Sequence, residues 1–275
     1  MVNAMKIEAL IRSIASDFPE EAIEELLLRS RANIDKAMRR LRRPQAAVGV
    51  VKSKLGNLLV AVTARGIVLN QYLQEESTAV TALGKLRLAF DPIEDQRAVG
   101  KVGEEVNRYL TGEADALNHD VDLTFAGSSF HKKVLDRLHM IPRGAVISYQ
   151  ALGAALGSAS SARAVGNALH NNPVPIYVPC HRVVSSDGRV GGYGGGAERK
   201  LQLLRSEGFA LGIRDVRLPD RVVWGHNATK IYCQTNCRAA ARVDRGRILF
   251  FADHNKARQA GFRPCKICRP DSKIA

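Results

Sequence analysis

The chain has 275 residues, 45% of them hydrophobic, and carries 41 Lys and Arg against 27 Asp and Glu, a formal charge of +14. That length implies two or more domains, and the excess charge favours a polyanionic partner, nucleic acid ahead of a membrane surface. No run is apolar enough to span a bilayer, and Glu8, Arg12 and Asp17 interrupt any signal-peptide core near the amino terminus. Five cysteines, four of them in two close pairs, suggest a reducing compartment and a metal site, not a disulfide framework. The expected location is cytoplasmic in a prokaryote and nuclear in a eukaryote.

Residues 5–43 read as a small helical unit. Ile7, Leu10, Ile11 and Ile14 mark one apolar face, Ile23, Leu26 and Leu27 a second, and Asn33 can cap a third helix carrying Ala37, Met38 and Leu41. Three short helices with a Phe18-Pro19 turn resemble the CUE/UBA-like bundle, which binds ubiquitin in some families; an accessory helical cap is the plainer reading. Arg39, Arg40, Arg42 and Arg43 lead into a linker at Pro44. Residues 47–73 look like antiparallel β-structure with turns near Gly56 and Gly66. A helix is expected over 92–111, with Val99, Val102, Val106 and Leu110 on one face, and 120–123 could close the sheet as a further strand.

From Ser129 the pattern turns helical and basic. Phe130, Val134, Leu135 and Leu138 form one stripe; Ser148 can cap a helix holding Tyr149, Leu152 and Leu156; Ser160 or Ser161 can open another over 162–170. Two helices joined by a short Gly/Ser turn read as a helix-turn-helix. Its second helix sets one long side chain, Arg163, among Ala162, Ala164, Gly166 and Ala168. Such small residues permit close approach of a backbone, which suits a minor groove better than major-groove reading by long polar side chains; a tightly packed core helix is the structural alternative.

The stretch over 171–183 holds the adjacent pair Cys180-His181. Pro173, Pro175 and Pro179 imply a stiff, extended approach to the thiol. Thiolate is the nucleophilic form of cysteine, but a bare Cys-His pair is equally a buried inert cysteine. Downstream, Gly188 to Gly196 must be a loop, with Tyr193 its one large ring. It lacks the Lys-Ser/Thr ending of a phosphate cradle. A last helix carries Lys200, Leu203, Leu204 and Glu207 and closes at Gly208.

Pro179-Cys180-His181-Arg182-Val183, with Asn172 before it and Tyr193-Gly194-Gly195 after it, resembles the signature of the O6-alkylguanine-DNA alkyltransferases. The likeness runs from about Val48 to Gly208 and is densest from Phe130 onward. It implies that Cys180 takes an alkyl group irreversibly, that His181 accepts the thiol proton through a water, and that Glu207 orients His181. It further implies that Asn172 holds the active-site turn, that Arg163 replaces the extruded nucleotide in the base stack, and that Tyr149 presses the adjacent phosphate. Val183 and the loop of Tyr193, Gly194 and Gly195 would line the guanine pocket. The family often has serine where Gly194 stands. Gly194, Gly195 and Gly196 would leave space for alkyl groups larger than methyl.

Cys233 and Cys237, with Cys265 and Cys268, have the spacing of a tetrahedral four-thiolate Zn²⁺ site. Residues 230–271 resemble the metal-binding domain of the Ada methylphosphotriester-repair protein, in which the first cysteine, here Cys233, takes methyl from a backbone phosphotriester. A zinc that only staples a small fold is the competing reading. Arg238, Arg242, Arg245, Arg247, Arg263, Lys266 and Arg269 favour DNA contact.

The expected architecture is therefore α+β and multidomain: a helical bundle (1–44), a ribonuclease H-like domain (45–126), a helix-turn-helix catalytic domain (127–212) and a zinc-binding domain (213–275). The expected function is single-turnover DNA repair by a monomer, on double-stranded DNA containing alkylated guanine, with no membrane partner. The alternatives are a non-catalytic lesion sensor, an Ada-like regulator, and a cysteine hydrolase using Cys180 and His181.

Overall fold

Valine and leucine crowd the first strands on both faces, and the fold explains why: each face of the sheet is covered. The computed structural model describes residues 43–74, 76–156, 161–211, 222–234 and 247–273, with single positions 19, 21, 24, 25, 27–29, 32, 33, 218, 237, 243 and 244. The helical unit read over 1–44, and its likeness to ubiquitin-binding bundles, falls almost wholly outside those residues.

Strands β1 (Gln45–Ser53), β2 (Gly56–Thr63), β3 (Gly66–Tyr72) and β4 (Asp91–Glu94) form a sheet of order β3-β2-β1-β4, antiparallel except for the β1–β4 pair. Helix α1 (Glu76–Arg87) brings Ala82 and Leu86 against Val48, Leu59, Ala61, Val68 and Leu69 on one face. Helix α2 (Gln96–Thr111) brings Val99, Val102 and Val106 into the core shared with Val51, Leu58, Val60 and Ile67 on the other. Burial on both sides replaces alternation with a near-continuous apolar run. Close helix–strand approach is bought by two glycines: a Cβ at Gly49 would stand 2.6 Å from Val99, and one at Gly103 2.8 Å from Val51.

Two expectations are corrected here, and one helix was not anticipated. The helix read over 92–111 begins at Gln96, capped by the Asp95 carboxylate, because residues 91–94 are spent on β4, an edge position that tolerates Pro92. The strand read over 120–123 is a single bridge between Ile67 and Val121. Helix α1, whose residues Ala79, Ala82 and Gly84 leave little apolar stripe, was not legible from periodicity.

The second half contains α3 (Ser129–His139), β5 (Ala145–Ser148), α4 (Tyr149–Ala155), α5 (Ala162–His170), a 3-10 turn (Cys180–Arg182), β6 (Val183–Val184) and α6 (Ala197–Ser206). Ser128 and Ser148 cap α3 and α4 by accepting from the His131 and Ala151 amides. The segment with the four paired cysteines adds β7 (Val223–His226), β8 (Ile231–Gln234), β9 (Ile248–Phe251), α7 (His254–Gln259) and β10 (Arg263–Pro264).

These strands do not form a sheet of their own. The order is β10-β8-β7-β9-β5-β6: β9 pairs antiparallel with β5, Ala145 opposite Phe251 and Val146 opposite Phe250. The Ala252 amide donates to the Gly144 carbonyl at 2.9 Å, and Val146 and Val184 share a core with Phe209, Val222 and Ala252. The cysteine-rich segment thus extends the sheet that carries β6, the strand immediately after Cys180-His181-Arg182.

Phe251 is fully buried and packs its ring 4.9 Å from that of Phe262. Phe251→Ala should cost about 3–5 kcal/mol. In a urea titration, fluorescence of the single Trp224 and mass-localised labelling of Cys180 should report midpoints that fall together. A shift confined to the Trp224 signal would show that the two parts unfold independently.

Candidate active site and candidate metal centre

Two prolines and an asparagine shape the turn that delivers the thiol. The approach to Cys180 is a tight turn, not the extended run expected from its prolines. The Val178 amide donates to Val174 O at 2.9 Å, and Ile176 sits at φ 77°, a conformation that β-branched residues rarely adopt and that surrounding contacts must enforce. Those contacts are visible. Asn172 Nδ2 donates to Val178 O at 2.9 Å and to Cys180 Sγ at 3.1 Å, while its Oδ1 accepts from the Val174 amide. Asn70, on β3, donates its amide to Pro173 O and its Nδ2 to Pro175 O. Tyr177 Oη donates to Glu105 Oε2 of α2 at 2.6 Å.

Cys180 is 6% exposed at the start of its 3-10 turn. Burial pushes the thiol above its ordinary pKa, opposed by donation from Asn172 and by the charge of Lys200. Lys200 is itself buried, donates to Val183 O and Gly192 O, and is drawn by burial down to about 8, with Cys180 opposing.

His181 and Glu207 are both buried, and His181 Nε2 lies 2.7 Å from Glu207 Oε1. Burial alone would raise the Glu207 carboxyl, but Arg182 and His181 hold it well below the usual carboxylate range. An ionised carboxylate only accepts, so Nε2 carries the imidazole hydrogen and Nδ1 the lone pair. Nδ1 has no hydrogen-bond partner among the described residues. Burial lowers the His181 pKa, against the pull of Glu207, and so favours the neutral ring. A neutral imidazole with a bare Nδ1 is competent to receive a proton.

Residues that the sequence reading did not assign complete this network. Arg182 grips both oxygens of Glu207 at 2.9–3.1 Å and donates to Ile141 O. Tyr109 Oη, from α2, donates to Glu207 Oε1 at 2.5 Å. Arg182 stands in the same motif as the cysteine, which marked its place but not its partner; Tyr109 and Asn70, far away in sequence, carried no local signal.

On α5, Val165, Ala168 and Leu169 face the core, whereas Arg163, Ala164, Asn167 and His170 are exposed and Ala162 and Gly166 are half-buried. A Cβ at Gly166 would meet nothing within 4 Å. The helix therefore presents a thin, open face with Arg163 upon it. Tyr149 is half-buried at the first position of α4. The Tyr193 ring stands edge-on to His181 with centroids 6.5 Å apart. The space expected around Gly194, Gly195 and Gly196 is not all open: a Cβ at Gly195 would stand 2.5 Å from the ring of Tyr72.

The second cluster lies in the sheet extension. The sulfurs of Cys233, Cys237, Cys265 and Cys268 are all within 4.8 Å of one another, and none is in a disulfide. Four thiolates so gathered fit a tetrahedral metal, whose metal–sulfur distance of about 2.3 Å sets sulfurs about 4 Å apart. Trp224 packs against Cys233, Cys237 and Cys265, and its Nε1 donates to Gln234 O. Arg247, Arg263, Lys266 and Arg269 are exposed around this centre; Arg238, Arg242 and Arg245 lie outside the described residues.

Residues 129–209 match the family described as 6-O-methylguanine DNA methyltransferase, DNA binding domain, and residues 209–271 match the metal binding domain of Ada. A methylated-DNA--protein-cysteine methyltransferase of Mycolicibacterium paratuberculosis is 40% identical over 42% of this chain and 68% of its own length. One of Mycobacterium bovis is 36% identical over 49% of this chain and 84% of its own length. The chain belongs to the methylated-DNA--protein-cysteine methyltransferase family. Its fold is similar to a crystal structure of Mycobacterium tuberculosis O6-methylguanine methyltransferase, with a TM-score of 0.50 and 31% identity, covering 59% of this chain and 93% of that one.

Removing the Glu207 carboxylate would leave Arg182 buried without a counter-charge. Glu207→Ala should lower stability by about 3–5 kcal/mol, read as a shift in urea midpoint. Because the folded carboxyl is held below its unfolded value of about 4.3, its contribution is whole above that value and is lost as pH falls through the depressed one. The stability difference between wild type and Glu207→Gln should therefore shrink on acidification; a difference constant from neutrality to acid would contradict it. Chelation should release one metal per chain and lower the thermal midpoint, as expected for a centre whose binding energy is folding energy.

Proposed function

We propose that this methyltransferase repairs alkylated DNA by moving the alkyl group of O6-alkylguanine onto Cys180, once and irreversibly. The observation that carries the assignment is the buried chain running from the Glu207 carboxylate through His181, beside a thiol that receives a hydrogen bond from Asn172. His181 Nδ1 takes the thiol proton, relayed by water, and the resulting imidazolium is balanced by Glu207. The Sγ lone pair attacks the alkyl carbon in line as the carbon–O6 bond breaks. The bonding pair goes to the guanine oxygen, and the proton taken from the thiol, returned from the imidazolium by way of water, neutralises the departing base. Donation from Asn172 and the Lys200 charge both favour the thiolate against the cost of its burial. A thioether does not hydrolyse, so the protein is consumed.

The target base must leave the duplex, at a few kcal/mol of unstacking. The thin α5 face supports minor-groove approach, with Arg163 filling the gap in the stack, and Ala162, Ala164 and Gly166 allowing close contact. Tyr149 would press the neighbouring phosphate; Val183, Tyr193, Gly194 and Gly195 would line the base pocket. The two-faced sheet over 45–126 supports the ribonuclease H-like reading of that part, with 127–212 catalytic and 213–275 metal-binding. A thiol with a base chain behind it supports repair over a non-catalytic sensor.

For the metal, Zn²⁺ fits the four-thiolate set, and when bound it would cross-link β8 to the loop after β10. Cys233 is 2% exposed and lies under Trp224. Its burial among the described residues favours a structural centre over a second methyl acceptor at Cys233.

With a duplex bearing O6-methylguanine, intact mass should gain one methyl, mapped to Cys180. Cys180→Ala should show none and still bind the duplex. Transfer that persists in Cys180→Ala, or methyl mapped to Cys233 from that substrate, would overturn the assignment.

A further inference from the structure

Tyr72 ends β3, in the amino-terminal sheet, far in sequence from the cysteine loop. Its ring nevertheless closes one side of that loop. The Tyr72 and Tyr193 hydroxyls share a hydrogen bond of 2.9 Å, and the two rings meet edge-on with centroids 6.1 Å apart. Tyr193 in turn stands edge-on to His181. Gly195 is buried, and a Cβ there would fall 2.5 Å and 2.8 Å from two carbons of the Tyr72 ring and 2.7 Å from Tyr193.

The ring is held from behind as well. The Arg199 guanidinium lies over Tyr72 at 4.8 Å from its centroid, while Arg199 donates to Gly195 O at 2.8 Å and Leu55 O at 2.6 Å. Tyr72 is thus clamped between Arg199 on one side and the Gly195–Tyr193 turn on the other, and it cannot swing away without breaking that set. Both Tyr72 and Cys180 belong to one continuous core cluster. Burial is the main cause of the raised Tyr72 and Tyr193 pKa values, and the charge of Cys180 contributes to both; the two phenols are neighbours of the reacting sulfur.

We propose that Tyr72 is the residue that sets alkyl-group size for this transferase, its clamped ring occupying the room that a glycine at 195 would otherwise leave for a bulky substituent. The inference rests on Cys180 being the acceptor. It narrows the expectation drawn from the three consecutive glycines: at Gly195 the space is taken by an aromatic side chain supplied by another part of the chain. Methyl fits such a pocket; a benzyl ring must displace Tyr72 and break its bonds to Tyr193 and Arg199.

The test compares single-turnover rates on duplexes bearing O6-methylguanine and O6-benzylguanine, read by intact mass. Wild type should favour methyl. Tyr72→Ala should raise the benzyl-to-methyl rate ratio by about tenfold or more, the scale on which a pocket discriminates by bulk. Tyr72→Phe keeps the ring and should keep the wild-type ratio. An unchanged ratio in Tyr72→Ala, including an equal fall in both rates, would overturn the proposal. So would a Tyr72→Phe ratio that rises as far as the alanine ratio, because the hydroxyl and not the ring would then be responsible. Wild type inert toward both lesions would overturn the acceptor assignment, and this inference with it.

Discussion

A carboxylate sealed from water must be matched by charge and hydrogen bonds or the fold cannot afford it, and Glu207 is such a group. It caps the end of α6. Its partners come from three other places: Arg182 and His181 from the turn after the cysteine, Tyr109 from α2, and, more distantly at 3.4 Å, the Gly144 amide just before β5. One side chain thereby draws together the amino-terminal sheet's helix, the Cys180 turn and the strand that leads into Tyr149. Burial, with the Arg182 charge adding to it against the pull of Glu207, favours the uncharged imidazole, whose Nδ1 is left basic. The ion pair and the proton acceptor are one construction.

The amino-terminal sheet has a more direct part in the site than a scaffold needs. Asn70 ties down the backbone of Pro173 and Pro175, and Glu105 holds Tyr177. Burial raises the Glu105 carboxyl, but Tyr177, the Asn118 amide and His119 together bring it below its ordinary value. These bonds flank Ile176, whose positive φ would otherwise relax. The turn that aims Cys180 is kept in an unfavourable shape by residues more than sixty positions upstream.

How much of this was readable beforehand follows from how local each signal is. Ser148 announces its helix because a cap acts within three residues. The two cysteine pairs declare a metal centre because ligand spacing is itself the chemistry. Glu207 and Asn172 were reached only through the likeness to a known family, whose motif carries their positions. Tyr109, Asn70 and Tyr72 escaped, since nothing near them in sequence hints at what they touch. The run of glycines at 194–196 shows the same limit: a missing Cβ shows that the backbone leaves room, not that at Gly195 the Tyr72 ring fills it. Helix α1 was lost to weak amphipathicity, and β4 was absorbed into the helix that follows it.

The sheet that runs from β10 to β6 also orders events in time. Strand β5 leaves the ribosome well before β9, its partner on one side, has been made. Until then Ala145 and Val146 offer unpaired amides and carbonyls to any passing strand, in a chain long enough to populate partly folded states. The nascent protein would hold its Cys180 turn next to an open edge until β9 emerges, so a ribosome that stalls or a message truncated in that interval would yield a species prone to associate with its own kind.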